Sequence, residues 1–147
     1  MADQGKGVHM KKAVLVAFGI ALLALFGLGT SLYSTLQAPA SVSVVSPMGG
    51  YVIESVRVTG LLAPLGGVAY LRIIDRKTPS TVYRTPLFAT QHIDFSKTSE
   101  DSRYLDAIVW VRFDKQEQHF SIGMPQWRAD WRNRFISNTP FEAGGNG

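Results

Sequence analysis

Hydrophobic and polar positions fall into three regimes along the chain. From Ala13 to Tyr33 apolar and small residues run for 21 positions without a charge, and after Lys12 the next charged residue is Glu54. As a helix rising about 1.5 Å per residue the run spans roughly 31 Å, the thickness of a bilayer's hydrocarbon. It is apolar around its whole circumference, unlike the amphipathic helix of a soluble core. Gly19, Gly27 and Gly29 would weaken a helix in water but are ordinary in a membrane span. The pattern predicts a transmembrane helix over 13–33.

The second regime is short, β-branched and interrupted by turns. A stalk over 34–47 leads into a first strand near Val42 to Val45, and Tyr51–Val58 and Val68–Asp75 read as further strands. Between them Gly60–Gly67, GLLAPLGG, is a loop of apolar residues, where loops normally show polar side chains to water. Val82–Phe88 reads as an edge strand, because Pro86 cannot donate a ladder hydrogen bond. Gln91–Phe95 fits either strand or loop, and Ser96–Arg103 is polar throughout and reads as a solvated loop. Tyr104–Phe113 is apolar on both alternating faces at its centre, Ile108 to Val111, and so predicts one interior strand covered on both sides. A polar turn at Asp114–Gln118 then leads into a hairpin partner, His119–Gly123.

The third regime has a different period. Trp127, Trp131 and Phe135 recur at steps of four, one stripe on a helix starting near Pro125. This stripe is expected to cover the sheet over the 104–113 strand, and the last residues, 137–147, to be a disordered tail. The fold class is therefore α+β: an N-terminal transmembrane helix, then a small, mostly antiparallel β-sheet domain with a C-terminal helix packed on it. The divisions are 1–12 cytoplasmic, 13–33 spanning, 34–47 stalk and first strand, 48–136 exported domain and 137–147 tail.

Charge sets the orientation. Lys6, Lys11 and Lys12 precede the span and only Asp3 opposes them, so the positive-inside bias leaves the N-terminus in the cytoplasm of an inner membrane and the rest outside. Cleavage is the competing fate: Gly29-Thr30-Ser31 and Ala38-Pro39-Ala40 are small-x-small triplets that signal peptidase could read. The apolar run Ala13–Gly29 is longer than a cleavable core of about 7–15 residues, which favours an uncleaved anchor. Gly27 and Ser31 also form a small-xxx-small spacing within the span; the default reading is a lipid-facing monomer.

Ser46-Pro47-Met48-Gly49-Gly50-Tyr51-Val52 resembles the S-P-x-G-x-Y/F turn that opens a strand in many bacterial β-propeller blades and blade-like meanders. Ile108–Ile122 resembles the strand, acidic turn and strand that follow in such units. Met48 stands where those blades carry an acidic residue. The resemblance implies a single blade-like antiparallel meander, a form also met in small membrane-anchored bacterial proteins, and it brings no catalytic residues.

Composition narrows the chemistry. Of 15 Lys+Arg and 11 Asp+Glu in the chain, the part after residue 41 keeps 12 and 10, too even a balance for the clustered basic face of nucleic-acid binding. There is no cysteine, which removes disulfides, thiol catalysis and thiolate metal sites. No G-x-S-x-G, H-E-x-x-H, S-x-x-K or P-loop is present. His92, Asp94 and His119 are the residues a hydrolase or metal-binding reading would use; the blander reading, a solvated face, outweighs it. No metal, cofactor or small-molecule substrate is expected, and the exported part reads as a non-enzymatic module for a protein partner. The contact residues it suggests are Trp127, Arg128, Trp131 and Arg132, with Leu61, Leu62 and Leu65 of the apolar loop.

Overall fold

The computed structural model describes residues 4–144. The uncharged run lies inside one continuous helix, α1 (Gln4–Gln37), about 51 Å long at 1.5 Å per residue. It outlasts the predicted span at both ends, from Gln4 before it and by a turn after it: residues 34–37, expected as stalk, are helical, and Ser41 hydrogen-bonds Ser55 as the chain enters β1 (Val42–Val45). The fold is α+β as expected, an apolar N-terminal helix followed by antiparallel β-structure and a short C-terminal helix.

Two five-stranded sheets take the place of one. Sheet A is the antiparallel meander β1, β2 (Tyr51–Val58), β3 (Val68–Asp75) and β4 (Val82–Arg84), with β5 (Phe88–Ala89) also on β3. Sheet B runs β10 (Phe141–Ala143), β9 (His119–Ile122), β8 (Val111–Asp114), β7 (Tyr104–Ile108) and β6 (Ser99–Glu100). All pairings are antiparallel except β10 on β9. The Ser46 turn and the β8–β9 hairpin thus belong to different sheets, and the blade-like resemblance does not describe one unit.

Alternation in β2 and β3 explains the packing. Ile53, Leu71 and Ile73 point inward to meet Leu105, Phe113, Phe120 and Ile122 of sheet B in one core. Phe113 sits at its centre, with Tyr51, Tyr83 and Phe120 against its ring at centroid distances of 6.1, 4.7 and 5.1 Å. Val56, Val58 and Tyr70, of opposite parity, form a second core on the outer face of sheet A.

Several local expectations are overturned. The 104–113 strand is two strands, turning at Val109–Trp110 with a bulge between Asp106 and Ile108. Its apolar centre is therefore a hairpin tip, and Val109 is exposed. Edge strand 82–88 is interrupted at Pro86: Leu71 N donates to the Thr85 hydroxyl (2.9 Å), which substitutes for a ladder partner. In the polar loop 96–103, Glu100 is buried at its side chain, 3.2 Å from Lys115 Nζ. Its other oxygen accepts from Met48 N (2.7 Å), tying the Ser46 turn of sheet A to sheet B. Gly49 occupies the left-handed region (φ 77°) that this turn requires.

The C-terminal region departs furthest. The helix is a single turn, α2 (Asn133–Ile136). Gln126 at φ 60° is incompatible with a right-handed helix through 124–135, and Asp130 Oδ1 accepts from Arg132 N (2.8 Å) in a local turn. The tail is ordered through Gly144. Asn138 binds the free edge of β4 as a strand would, accepting from Arg84 N and donating to Val82 O (both 2.7 Å), and β10 follows. Residues 145–147 of the expected tail lie outside the described residues.

Candidate functional site

The outer face of sheet A is where the helix meets the domain. Leu28, Leu32 and Ala38 pack against the core of Val56, Val58, Leu62, Tyr70 and Ile136. The last carbonyls of a helix lack intrahelical donors and carry partial negative charge, so cationic donors suit them. Tyr70 Oη donates to Thr35 O (3.1 Å), and Arg72 donates from Nη1 to Leu36 O and from Nη2 to Ala38 O (both 3.3 Å). Arg72 is held in turn by Glu54, its cross-strand neighbour, at 2.6 Å. Burial pushes the Tyr70 phenol above its usual value, so it stays a donor.

The small-xxx-small pair of α1 faces the apolar loop. A side chain at Gly27 would meet Leu61 Cδ1 at 3.8 Å, and one at Gly60 would meet the Ser31 hydroxyl at 3.6 Å. Gly60 also needs its positive φ of 72° to turn out of β2. The spacing read as a weak helix-pairing signal thus serves contact between α1 and its own domain. Beyond this contact the loop is open: Leu62 is buried, Leu61 is 65% exposed and Leu65 98% exposed.

The aromatic stripe is divided. Trp127 leans into the inter-sheet core against Phe88 (5.9 Å) and Phe141 (5.7 Å) and donates from Nε1 to Leu87 O at 2.9 Å. Trp131 and Phe135 point away from it, 54% and 50% exposed, edge to face at 6.2 Å. Neither covers β7 or β8, whose inward face is closed by sheet A; the part of α2 that packs on a sheet is Ile136, on sheet A. Arg132 is a strut: Nη1 donates to Leu62 O (2.7 Å), while Nε and Nη2 clasp Asp130, whose carboxyl is lowered chiefly by that hydrogen bond. Of the seven suggested contact residues, Leu61, Leu65 and Trp131 are open; Leu62 and Trp127 are used in packing, Arg132 in the strut.

An open groove of about 870 Å³ runs between the α2 segment and the chain entering β10, lined among others by Trp131, Arg134, Asn138 and Phe141. Arg128 lies on a separate, smaller groove of about 350 Å³ together with His92 and Trp127. The structure does not join His92 to Asp94 and His119. Asp94 accepts from Ser96 N and Oγ (both 2.9 Å), which lowers its carboxyl, and His119 Nε2 lies 3.4 Å from Glu142 Oε1. Among the described residues no three His, Asp or Glu side chains converge on a point that could hold a metal ion. Asp114 belongs to architecture too, accepting from Gln116 N, Glu117 N and Arg103.

Sequence reasoning missed Tyr70, Arg72 and Asn138. Their roles depend on what lies across space from them, although Arg72, a charge in mid-strand between Leu71 and Ile73, was a visible anomaly. Comparison with protein-family models, curated proteins and solved structures finds no match to this chain.

Proposed function

We propose that the chain is a single-pass, membrane-anchored protein whose domain stands on the extracytoplasmic side of the inner membrane and binds a protein partner without chemistry of its own. Support for the anchor is a helix long and apolar enough to cross a membrane, with three lysines before its apolar run. The contacts of Leu28, Leu32, Tyr70 and Arg72 favour retention, because either cleavage would strip part of the second core from the fold.

The observation that carries the binding role is the groove beside α2. It sets a half-exposed tryptophan beside an arginine on an ordered segment, the side-chain content of interaction hot spots. An immunity or inhibitor-type protein held at the membrane, or an accessory subunit of an envelope complex, fits such a module. A photoreactive amino acid at Phe135, activated in intact membranes, tests it. One discrete protein adduct should form there, absent when the label is at Ser80 and lost with Arg134→Glu. Equal labelling at 135 and 80, or none at 135, contradicts the reading.

A further inference from the structure

We infer that the loop Gly60–Gly67 is a membrane wedge, its Leu61 and Leu65 side chains inserted among the acyl chains of the leaflet from which α1 emerges. This rests on the anchoring proposed above and adds to it a second, independent point of lipid contact that fixes the height of the domain.

Depth follows from the contact between helix and loop. With Ala13 at the entry boundary, a hydrocarbon layer of about 30 Å takes up about 20 residues of helix, so the exit boundary falls near Leu32. Gly27 lies five residues earlier, about 7 Å inside that boundary, and Leu61 Cδ1 lies against it. Leu28, also inside it, packs with the domain's second core. The strands give the same alignment. From Arg72, beside the Leu36 and Ala38 carbonyls, β3 reaches back four residues to Val68, about 13 Å toward the loop. From Ala38 to Gly27 the helix covers a comparable distance, about 16 Å. Helix and strands therefore run side by side, and the β2–β3 loop is the end of the domain nearest the bilayer.

The loop is built for such a place. From Gly60 to Ala69 no side chain carries a polar group. In water the near-complete exposure of Leu65 would gain nothing; among acyl chains it removes apolar surface from water, which is favourable. Backbone polar groups are costly in lipid unless satisfied, and several here are. Ala63 N donates to Gly60 O (3.1 Å), Gly66 N to Ala63 O (2.9 Å), Pro64 has no donor, and Arg132 takes the Leu62 carbonyl.

The chain has no native cysteine, so single-cysteine variants of the full chain report position directly. Leu23→Cys, Leu65→Cys and Ser80→Cys, each carrying the same fluorophore, are reconstituted in phosphatidylcholine vesicles and quenched either by nitroxide-labelled lipids or by aqueous iodide. Leu23 lies in mid-span and Ser80 in the turn at the opposite end of sheet A. The wedge predicts that Leu65→Cys loses most of its emission to a shallow nitroxide and little to iodide, while Ser80→Cys does the reverse. If Leu23→Cys is quenched by lipid but Leu65→Cys behaves like Ser80→Cys, the wedge is overturned and the anchor stands. If Leu23→Cys is itself quenched by iodide, the anchor fails and the wedge falls with it.

Discussion

The two sheets share one core but differ in what they show on their other faces. Across sheet B the outer row Asp106, Arg112, Ser121 and Glu142 is polar and paired, with Asp106–Arg112 at 2.6 Å and Ser121 donating to Glu142 at 3.1 Å. Arg103 and Arg112 flank the Tyr104 ring at about 5 Å. That face is finished in water. The outer face of sheet A instead carries Val56, Val58, Val68 and Tyr70, and is finished by α1, the apolar loop and α2. The contrast gives the domain a wet side and a helix side, and makes the C-terminal end of α1 a structural part of the fold.

The sharpest way to break the contrast is to attack what the sheets share. Phe113→Ala removes a fully buried ring with three aromatic neighbours and should cost about 3–5 kcal/mol. Denaturation of the detergent-solubilised chain should show both sheets loosening together. Arg72→Met acts on the helix side alone. Its loss uncaps the Leu36 carbonyl of α1 and the Ala38 carbonyl just beyond it and leaves Glu54 unpaired, an effect of about 2 kcal/mol. Hydrogen exchange should quicken over residues 31–37 and change little in sheet B.

Acid probes the wet side. The Asp114 carboxyl is held below its ordinary value, first by the Glu117 amide and then by Arg103 and the Gln116 amide; Asp101 is lowered by the amides of Tyr104 and Arg103. A group whose folded pKa is depressed binds protons more readily when unfolded, so its contribution is complete above the unfolded value of about 3.9 and is lost as pH falls through the folded one. Thermal melts should weaken below about pH 4, and Asp114→Asn should flatten that acid slope. The smallest effect belongs to Trp131→Ala. Half-exposed and outside both cores, it should move stability by no more than about 0.5 kcal/mol. A large loss there would place Trp131 in the fold instead of in the groove.

What could be read from sequence follows the same division. β2 and β3 were legible because their apolar, β-branched runs are bounded by turns that contain glycine or proline, and α1 because an uncharged apolar run of that length is long enough to cross a bilayer. The hairpin tip Val109–Trp110 was not, since it carries none of the residues that usually mark a turn. The stripe at 127, 131 and 135 mimicked a helix by spacing alone; what decides the segment is Gln126 at positive φ and the Asp130 turn. Ser137 and Asn138 looked like tail because they are polar, yet polar groups are what satisfy the edge of β4. At the site, the loop 60–67 stood out as apolar where polarity was expected, whereas the groove depends on a segment read as disordered.

The claim that α1 completes the fold is tested most directly by the intact mass of protein extracted from native membranes. The expected chain begins at residue 1 or 2 and so keeps every residue that Tyr70 and Arg72 cap. A mass beginning at Leu32 or Ser41 would contradict the claim: the span would be gone, and the second core would lose Leu28 with the first cut and Leu28, Leu32 and Ala38 with the second.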